Sequence, residues 1–502
     1  MFDDTIAAIA TPIGEGGLAV VRISGANALT IADKIFQPTG KNSVKPSAAD
    51  SHTIHFGKIV RPLTPLGGEK VAKPGEGQII DEVLLAVLRA PRTFTREDTI
   101  EISCHGGILP AKLVLDTILA NGARLAEPGE FTKRAFLNGR IDLAQAEAVA
   151  DLIHSRTELA LAAANEQLAG KLSQRINRLR DDLMHTLAHI EAHIDFPDED
   201  IAPDTKDKLL ERLQNGVSFM DELLRTANEG QILRRGIRAA IIGRPNAGKS
   251  SLLNQLLGHD RAIVSPIAGT TRDTIEETAN IRGLPVVFID TAGLREARDE
   301  IEVEGIRRSR DSLQKADLIL HVLDASENLT REDEHFLAEF SGKKRILVLN
   351  KSDLPKKLNL NSFSPPSSGE KVGMRGDSKN ELLTPTLSSF GEERENSLCV
   401  VEISCATEQG IEQLKDAIKN LIWSGEINAE NLQVAINSRH QDALNRARAA
   451  AQQAMDALRE NATLELVAMD LRIAANAVGE IVGKTTTEDL LDSIFSAFCI
   501  GK

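Results

Sequence analysis

The chain has 502 residues, 42% hydrophobic and 26% charged, a composition that predicts a soluble protein of about three domains. Its 73 acidic and 59 basic side chains give a formal charge of -14, so a nucleic-acid partner would need a local basic face. The aromatic residues are only 15 Phe and one Trp, which argues against a platform for stacking nucleic-acid bases. The four cysteines include no CxxC pair, which argues against a disulfide framework and a zinc ribbon. The acidic N-terminus and the lack of an apolar run of about 18 residues predict a cytoplasmic protein without a signal peptide or membrane span.

The first part of the chain, residues 1–140, mixes short strand-like runs with turns. Leu18–Ile23 and Val83–Leu88 are apolar runs bounded by glycine and proline, which is typical of an α+β domain. Over residues 141–236, apolar residues recur every three or four positions in a sequence rich in Ala, Leu, Glu and Arg. This periodicity predicts a helical domain, with one break at Phe196–Asp200.

Residues 237–424 alternate strand-like apolar runs with helical stretches, which predicts a mostly parallel, doubly wound α/β domain. Helical periodicity resumes over residues 425–502. We therefore predict a multidomain α+β and α/β protein in which an inserted sheet domain interrupts one helical domain. The strand-like runs of the inserted domain are Ala239–Ile242, Val286–Ile289, Leu318–Leu323, Ile346–Leu349 and Val400–Ile403.

One segment of the inserted domain differs in composition. Between Pro355 and Leu398, 20 of 44 residues are Ser, Pro, Gly or Asn, without periodicity. Such a segment can bury little apolar area to offset its ordering entropy. We therefore predict a disordered insertion over residues 355–398.

A phosphate-binding motif follows the first strand of the inserted domain. Gly243–Ser250 fits G-x-x-x-x-G-K-[ST] and is followed by a helical run. In this strand–loop–helix context, backbone N–H groups cradle phosphates, Lys249 adds charge at the β- and γ-phosphates, and Ser250 offers a hydroxyl to Mg²⁺.

Three further motifs follow later strands in chain order. Asp290–Gly293 places a carboxylate near the metal and a glycine N–H near the γ-phosphate. Asn350–Asp353 ends in a carboxylate that accepts from the N1–H and exocyclic amine of guanine, a donor pair that adenine lacks. Ser404–Ala406 would close over the base. Together the four motifs predict GTP binding.

The residue that usually orients the attacking water is absent. Ras-like enzymes place a glutamine directly after the D-x-x-G segment, and this chain has Leu294 there. A replacement could come from Asn246, from the loop Ser265–Asp273 or from the acidic run Glu296–Glu304. Thr271 is the candidate for closing on Mg²⁺ and the γ-phosphate.

The motifs, taken together, resemble one family, the MnmE or TrmE GTPases of tRNA modification, over nearly the whole chain. The GTPase motifs are common to many families, whereas the N-terminal and C-terminal strings are specific to this one. The resemblance rests on Gly243–Ser250, Gly269–Asp273, Asp290–Arg295, Asn350–Asp353, Thr11–Pro12, Gly16–Gly17, Arg22–Gly25, Phe94–Thr95, Glu101, His105–Gly107, Pro128–Phe131, Arg134–Asn138, Asp142–Glu147 and Phe498–Lys502.

The resemblance implies an N-terminal folate-binding-like dimerisation domain, a Ras-like G domain and a homodimer. It also implies GTP hydrolysis activated by K⁺, which takes the role of an arginine finger, together with Mg²⁺. With MnmG, an FAD-containing partner in a heterotetramer, such proteins add an aminomethyl or carboxymethylaminomethyl group to C5 of the wobble uridine in tRNA. The carbon comes from a tetrahydrofolate derivative, in a 5-formyl or methylene form.

Carried over residue by residue, the resemblance implies roles at named positions. Ser250 and Thr271 would bind Mg²⁺, and Glu302 would help to orient the attacking water. K⁺ would be bound by the Asn246 side chain, backbone oxygens of Ser265 and Ile267, and Thr270. Folate would contact Arg22, Glu101, Arg140 and Lys502, and Cys499 would be the functional cysteine. The full GTP-binding set would be Asn246, Ala247, Gly248, Lys249, Ser250, Ser251, Ser265, Pro266, Ile267, Ala268, Gly269, Thr270, Thr271, Asp290, Thr291, Ala292, Gly293, Asn350, Lys351, Asp353, Ser404, Cys405 and Ala406.

Two alternatives remain open from the sequence. The same G domain could belong to a GTP-switch ribosome-assembly factor without modification activity. The basic run Lys171–Arg180, free of acidic residues, could contact tRNA phosphates or form a solvated helix face.

Overall fold

The computed structural model describes residues 3–40, 43–62, 77–195, 206–258, 277–289, 314–339, 343–358, 399–423 and 436–501. None of the helices in these ranges offers the length of apolar surface that a membrane crossing requires.

The N-terminal part is built on a seven-stranded sheet. Its strands are β1 (Ile6–Ile9), β2 (Leu18–Ser24), β3 (Phe36–Pro38), β4 (Thr53–Pro62), β5 (Gly77–Leu88), β6 (Thr99–His105) and β7 (Arg124–Leu125). They lie in the order β3-β4-β5-β6-β2-β1-β7. Neighbours are antiparallel except β1 and β7, which are parallel.

Residues of this sheet alternate between a covered face and an open one. Along β2, Ala19, Val21 and Ile23 are buried under α1 (Ala28–Ile35) and α2 (Ile108–Ala120). The opposite face, here called the outer face, carries Ile54, Phe56 and Leu84, which are 69%, 49% and 46% exposed. Phe56 and Leu84 are directly opposite each other on β4 and β5. The outer face therefore presents apolar side chains that these helices leave uncovered.

Nine helices described outside the inserted domain follow the first sheet. Six precede that domain: α3 (Glu130–Leu137), α4 (Leu143–His154), α5 (Glu158–Leu168), α6 (Lys171–Asp195), α7 (Lys206–Arg225) and α8 (Ala227–Arg235). Asp142 and Gln145 form a capping box at the start of α4, with bonds of 2.9 and 3.0 Å. The sequence predicts one break in this region, at Phe196–Asp200, which lies outside the described residues. That prediction is wrong in number, because the chain also leaves helical geometry between α4 and α5 and between α5 and α6.

Helices that precede the inserted domain and helices that follow it share one hydrophobic core. The later helices are α12 (Ser438–Arg459), α13 (Leu464–Val482) and α14 (Glu488–Phe495). Leu183 of α6 and Met220 of α7 pack with Leu444 of α12 and Leu471 of α13, all nearly inaccessible to solvent. No member of this core comes from residues 237–423. The predicted fold class, with a helical domain interrupted by an inserted sheet domain, is thus confirmed.

The inserted domain is a doubly wound sheet of six described strands. They are β8 (Ile237–Ile242), β9 (Glu277–Ile281), β10 (Leu284–Phe288), β11 (Leu318–Asp324), β12 (Arg345–Asn350) and β13 (Cys399–Glu402), with helices α9 (Lys249–Leu257), α10 (Arg331–Glu339) and α11 (Ile411–Ile422). The order is β13-β12-β11-β8-β10-β9, and only the β9–β10 hairpin is antiparallel. Central strands are buried on both faces, as expected for a parallel sheet.

The β9–β10 hairpin contacts the helical domain. Arg156, between α4 and α5, donates from Nη1 to Thr278 Oγ1 of β9 at 2.5 Å. Leu233 of α8 and Ala160 of α5 pack against Leu284 of β10 and Trp423. The hairpin therefore lies against α5 and α8 at the junction of the two domains.

The C-terminal segment packs against the start of the helical domain. Phe495 and Phe498 join Leu143, Ala146 and Val149 of α4 in one apolar cluster. The three domain boundaries predicted at residues 140, 236 and 424 fall between α3 and α4, between α8 and β8, and after α11.

Candidate functional site

The phosphate loop lies between β8 and α9, as the motif predicts. Gly248 has φ +100°, and a Cβ there would lie 2.0 Å from Asn350 Nδ2, so only glycine fits. Asn246 also adopts a positive φ, +63°. Lys249, the first residue of α9, donates from Nζ to the carbonyls of Gly243 and Arg244, both at 2.8 Å. This loop at a helix N-terminus has the form of an anion site.

Asn350 joins the phosphate loop to the predicted base loop. Its Nδ2 donates to the Ala247 carbonyl at 2.8 Å, and its Oδ1 accepts from the Cys405 N–H at 3.1 Å. Ser404 is fully buried and its Oγ accepts from the Thr407 N–H at 3.2 Å, which shapes the loop after β13. Burial raises the pKa of the Cys405 thiol to about 11, so this thiol is neutral at physiological pH.

These segments surround one cleft of about 650 Å³, a size suited to a nucleotide. Its lining includes most of the described residues of the predicted GTP set: Asn246, Gly248, Lys249, Ser250, Ser251, Asn350, Lys351, Asp353, Cys405 and Ala406. Ala247 and Ser404 lie just behind this lining, through the contacts with Asn350 and Thr407.

Asp324 is a residue of this cleft region that the sequence analysis did not identify. It ends β11, and its carboxylate contacts Lys351 Nζ at 2.6 Å. Burial opposes ionisation, but the Lys351 ammonium and Ser326 hold the pKa of the Asp324 carboxyl below its usual value. Asp324 therefore fixes the Lys351 side chain beside the base position. The sequence signal was a carboxylate at the end of a strand-like apolar run, a sequence pattern that it shares with Asp290.

Several predicted site residues lie outside the described residues. They are Ser265, Pro266, Ile267, Ala268, Gly269, Thr270, Thr271, Asp290, Thr291, Ala292, Gly293, Glu302 and Lys502, with residues 359–398 of the insertion. The described chain extends four residues into the segment predicted as disordered, because Leu358 is buried against Leu323 and Leu349.

A second group of predicted residues meets at the N-terminal sheet. Arg22 and Glu101 are opposite each other on β2 and β6, and Arg22 Nε and Nη2 both lie 2.8 Å from Glu101 Oε1. The Arg22 guanidinium lies 5.6 Å from the centre of the Phe131 ring, and its Nη1 donates to the Gly501 carbonyl at 3.4 Å. The first domain and the C-terminal tail of one chain therefore come together at Arg22.

Arg140 and Cys499 lie around this group without contacting Arg22 directly. Arg140 donates to the Thr93 carbonyl at 3.1 Å and stacks 5.9 Å over the Phe94 ring. Phe94 packs in the same apolar cluster as Phe131, the ring under Arg22. Cys499 is exposed, and its carbonyl accepts from the Gly129 N–H at 3.3 Å.

Beneath this group lies a buried ionic network that the sequence analysis did not assign. Arg134 is fully buried and contacts Asp4 at 2.7 Å, Glu97 at 3.2 Å and Glu130 at 3.0 Å. Removing one partner of such a network leaves an uncompensated buried charge. Arg134 therefore fixes α3, and with it Phe131, against the N-terminus of the sheet.

Comparisons with known proteins match nearly the whole chain. The family model of the GTP-binding protein TrmE N-terminus matches residues 5–140, and that of the MnmE helical domain matches residues 143–499. The tRNA modification GTPase MnmE of Geobacillus thermodenitrificans is 46% identical over 501 residues, 99% of each chain. That of Bacillus subtilis is 44% identical over 501 residues, 99% of this chain and 100% of the relative.

Among solved structures, the G domain of the T. maritima FeoB iron transporter covers 37% of this chain and 98% of its own, at 24% identity and a TM-score of 0.23. The full-length identity and the two matched domains together show that the chain belongs to the MnmE family of tRNA modification GTPases.

Proposed function

We propose that the chain is a potassium-activated GTPase that acts with MnmG, an FAD-dependent partner, on certain tRNAs. The pair would add an aminomethyl or carboxymethylaminomethyl group to C5 of the wobble uridine, with a tetrahydrofolate derivative as the carbon donor. The observation that carries the proposal is the cleft in which Asn350 joins the phosphate loop to the base loop, in a chain of this family.

The described part of the phosphate loop fits the cations that the proposal requires. Ser250 follows Lys249 at the start of α9 and would supply a hydroxyl to Mg²⁺, with Thr271 as its second protein ligand. Asn246 lines the same cleft and would supply a carboxamide oxygen to K⁺. Ser265, Ile267 and Thr270 would complete that set by sequence. Bound there, the cations would neutralise charge that develops between the β- and γ-phosphates.

The dependence on K⁺ is tested by comparing GTP turnover in KCl and NaCl at equal ionic strength. We expect KCl to accelerate hydrolysis about tenfold or more, because Leu294 replaces the usual glutamine. Asn246→Ala should abolish the difference, while Asn254→Ala, on the exposed side of α9, should retain it. Equal rates in the two salts with the unmodified chain would refute K⁺ activation.

The group around Arg22 fits a folate. Arg22 and Arg140 supply cations for a glutamate tail, and both are held over aromatic rings. Arg22 uses only Oε1 of Glu101, so within the described residues Oε2 is available to the N–H donors of a pterin. We propose that Lys502 completes the site.

The outer face supports a homodimer that closes this site. Glu101 lies on the same face as Ile54, Phe56 and Leu84, separated from Ile54 only by Ala86 in the row of paired residues. A second copy of the chain that covers these apolar side chains would bury them and lie next to Glu101 in the proposed folate site.

Modification itself is tested by nucleoside analysis of tRNA from cells that lack the gene. Cells complemented with the wild-type chain should contain the modified wobble uridine. Cells complemented with Cys499→Ser should lack it, although this variant still hydrolyses GTP. Cys399→Ser, in β13, is the matched control and should support modification. Modification by Cys499→Ser would remove this thiol from the mechanism.

The ribosome-assembly alternative makes a different prediction for folate. A folate that binds the native N-terminal domain should raise the thermal midpoint of the chain, by linkage. Arg22→Ala should remove that rise without affecting the rise produced by GTP. No effect of folate on the unmodified chain would favour the alternative.

A further inference from the structure

A cleft of about 770 Å³ lies where the helical domain meets the inserted domain, away from both sites described above. One wall is the end of α8, including Arg235. The other wall is formed at the N-terminal ends of three neighbouring strands, where Arg238 belongs to β8, Lys315 precedes β11 and Lys344 precedes β12. Parallel strands thus bring cations that are distant in sequence to one edge of the sheet.

The cleft carries an excess of positive charge that the described protein does not neutralise. Its lining contains five cations and two carboxylates, Glu229 and Asp317. Arg235, Lys315 and Lys344 form no ion pair with any described residue. The Asp317 carboxylate accepts from the backbone N–H of Arg238 at 3.0 Å, and burial raises the pKa of Glu229.

This edge of the sheet is opposite the nucleotide cleft. The phosphate loop follows the C-terminal end of β8, whereas the cationic cleft lies at the N-terminal end, six residues or about 20 Å away. A ligand in the cationic cleft would therefore leave the GTP site open. It would also touch the helical domain and the inserted domain at once.

We propose that this cleft binds the phosphate backbone of the tRNA. The inference rests on the proposed function, which supplies the RNA substrate. A chain with a net charge of -14 repels RNA as a whole, so binding requires a local set of unpaired cations. Lys and Arg contacts to phosphates position an RNA without selecting its sequence.

The basic run on α6 is a weaker candidate for the same role. A cleft of about 570 Å³ between α6 and α7 includes Arg175 and Arg178. However, Lys171 pairs with Glu166, and Arg175 lies 3.7 Å from Glu222. Carboxylates thus already neutralise part of that run, whereas Arg235, Lys315 and Lys344 of the cationic cleft form no ion pair with a described residue.

The test measures tRNA affinity by fluorescence anisotropy between 50 and 300 mM KCl with the full chain. We expect the triple variant Arg235→Glu, Lys315→Glu, Lys344→Glu to bind about tenfold or more weakly near 0.15 M salt. The slope of log affinity against log salt should become shallower by about two to three, because about three phosphate contacts are lost. The neutral triple Arg235→Gln, Lys315→Gln, Lys344→Gln should show the same change in slope.

The matched control is Lys34→Glu, Lys45→Glu, Lys112→Glu, at exposed positions of the N-terminal domain, which changes the net charge by the same amount. The control should retain the salt slope of the wild-type chain. All of these variants should hydrolyse GTP at the wild-type rate. Any of three results would overturn the inference. They are an unchanged salt slope in both cleft variants, an equal decrease of the salt slope in the control, and loss of MnmG assembly with unchanged tRNA binding. Nucleoside analysis of the unmodified chain tests the proposed function separately.

Discussion

At the scale of single residues, Asn350 and Asp353 occupy different environments in the nucleotide cleft. Asn350 is buried and bonds segments that are 103 and 55 residues away in sequence. Its loss would leave buried polar groups unsatisfied, at a cost of about 1–3 kcal/mol each. Asp353 is exposed in the same cleft and is therefore able to meet a base. We therefore expect the shape of the loop to depend on Asn350 and the choice of base on Asp353.

Asp353→Asn should change the preferred base from guanine to xanthine. An amide can donate to the C2 carbonyl of xanthine, where the carboxylate required the donors of guanine. Hydrolysis of GTP and XTP, measured side by side, checks the expectation. Asp324→Asn is the control, because it should weaken nucleotide binding through Lys351 and still prefer guanine. A clear GTP preference in Asp353→Asn would contradict the assignment.

The backbone of the C-terminal tail is fixed by close contact with the N-terminal sheet. Gly501 has φ +94°, and a Cβ there would lie 2.5 Å from the Ile9 carbonyl. Gly501→Ala should therefore release the tail and break its contact with Arg22.

Hydrogen exchange of a peptide covering residues 496–502 should become faster in Gly501→Ala, and wobble-uridine modification should fall while GTP turnover is unchanged. Gly14→Ala serves as the control, since a Cβ at Gly14 meets nothing within 4 Å. Equal exchange in the two variants would show that the tail is not held at this contact.

The start of the predicted insertion can be located by paired deletions. Removing residues 359–396 should leave GTP turnover and the thermal midpoint nearly unchanged, because the composition of this segment offers little to bury. Removing residues 355–396 also deletes Leu358, which is buried with Leu323 and Leu349, and should lower the midpoint by several degrees. Calorimetry of both forms distinguishes them. A large drop with the shorter deletion would refute the predicted disorder.

Local rules explain which elements the sequence could predict. The phosphate loop depends on glycines with positive φ and a following helix, so its motif was visible in the sequence. The capping box of α4 depends on two residues three apart, a local pattern that was not used to predict the start of this helix. Strand β9 was not predicted, because Glu277–Ile281 mixes polar and apolar residues, and its burial comes from pairing with β10 and from the core of the inserted domain, where Ala279 and Ile281 pack. The contact between Arg22 and Gly501 spans 479 positions. Only the family resemblance had connected these two regions.

For the whole molecule, the helical core should survive without the inserted domain, because none of its members comes from residues 237–423. Joining Gly236 directly to residue 424 should give a chain that still unfolds cooperatively. The midpoint should fall by about 5–10 °C, since Leu233 loses its apolar partners Leu284 and Trp423.

Circular dichroism of the shortened chain checks this expectation. Leu233→Asn should lower the midpoint of the full chain more than that of the shortened one, where Leu233 has already lost Leu284 and Trp423 and keeps only its partners in the helical domain, Ala160 and Ala163. A shortened chain without a cooperative transition would show that the inserted domain is required for the helical core to form.

Helices α4 and α5 lie between the nucleotide cleft and the C-terminal tail that carries Cys499. β9 begins six residues after Thr271, and β10 ends two residues before Asp290, so the hairpin joins the two loops that would sense the γ-phosphate. The hairpin contacts α5 through Leu284 and Ala160, and it contacts the connection between α4 and α5 through Thr278 and Arg156. Helix α4 packs on Phe495 and Phe498, next to the tail. Helices α4 and α5 thus connect the β9–β10 hairpin to the segment that precedes Cys499. A change of the hairpin's position on nucleotide binding would therefore be passed through these two helices to the Cys499 thiol.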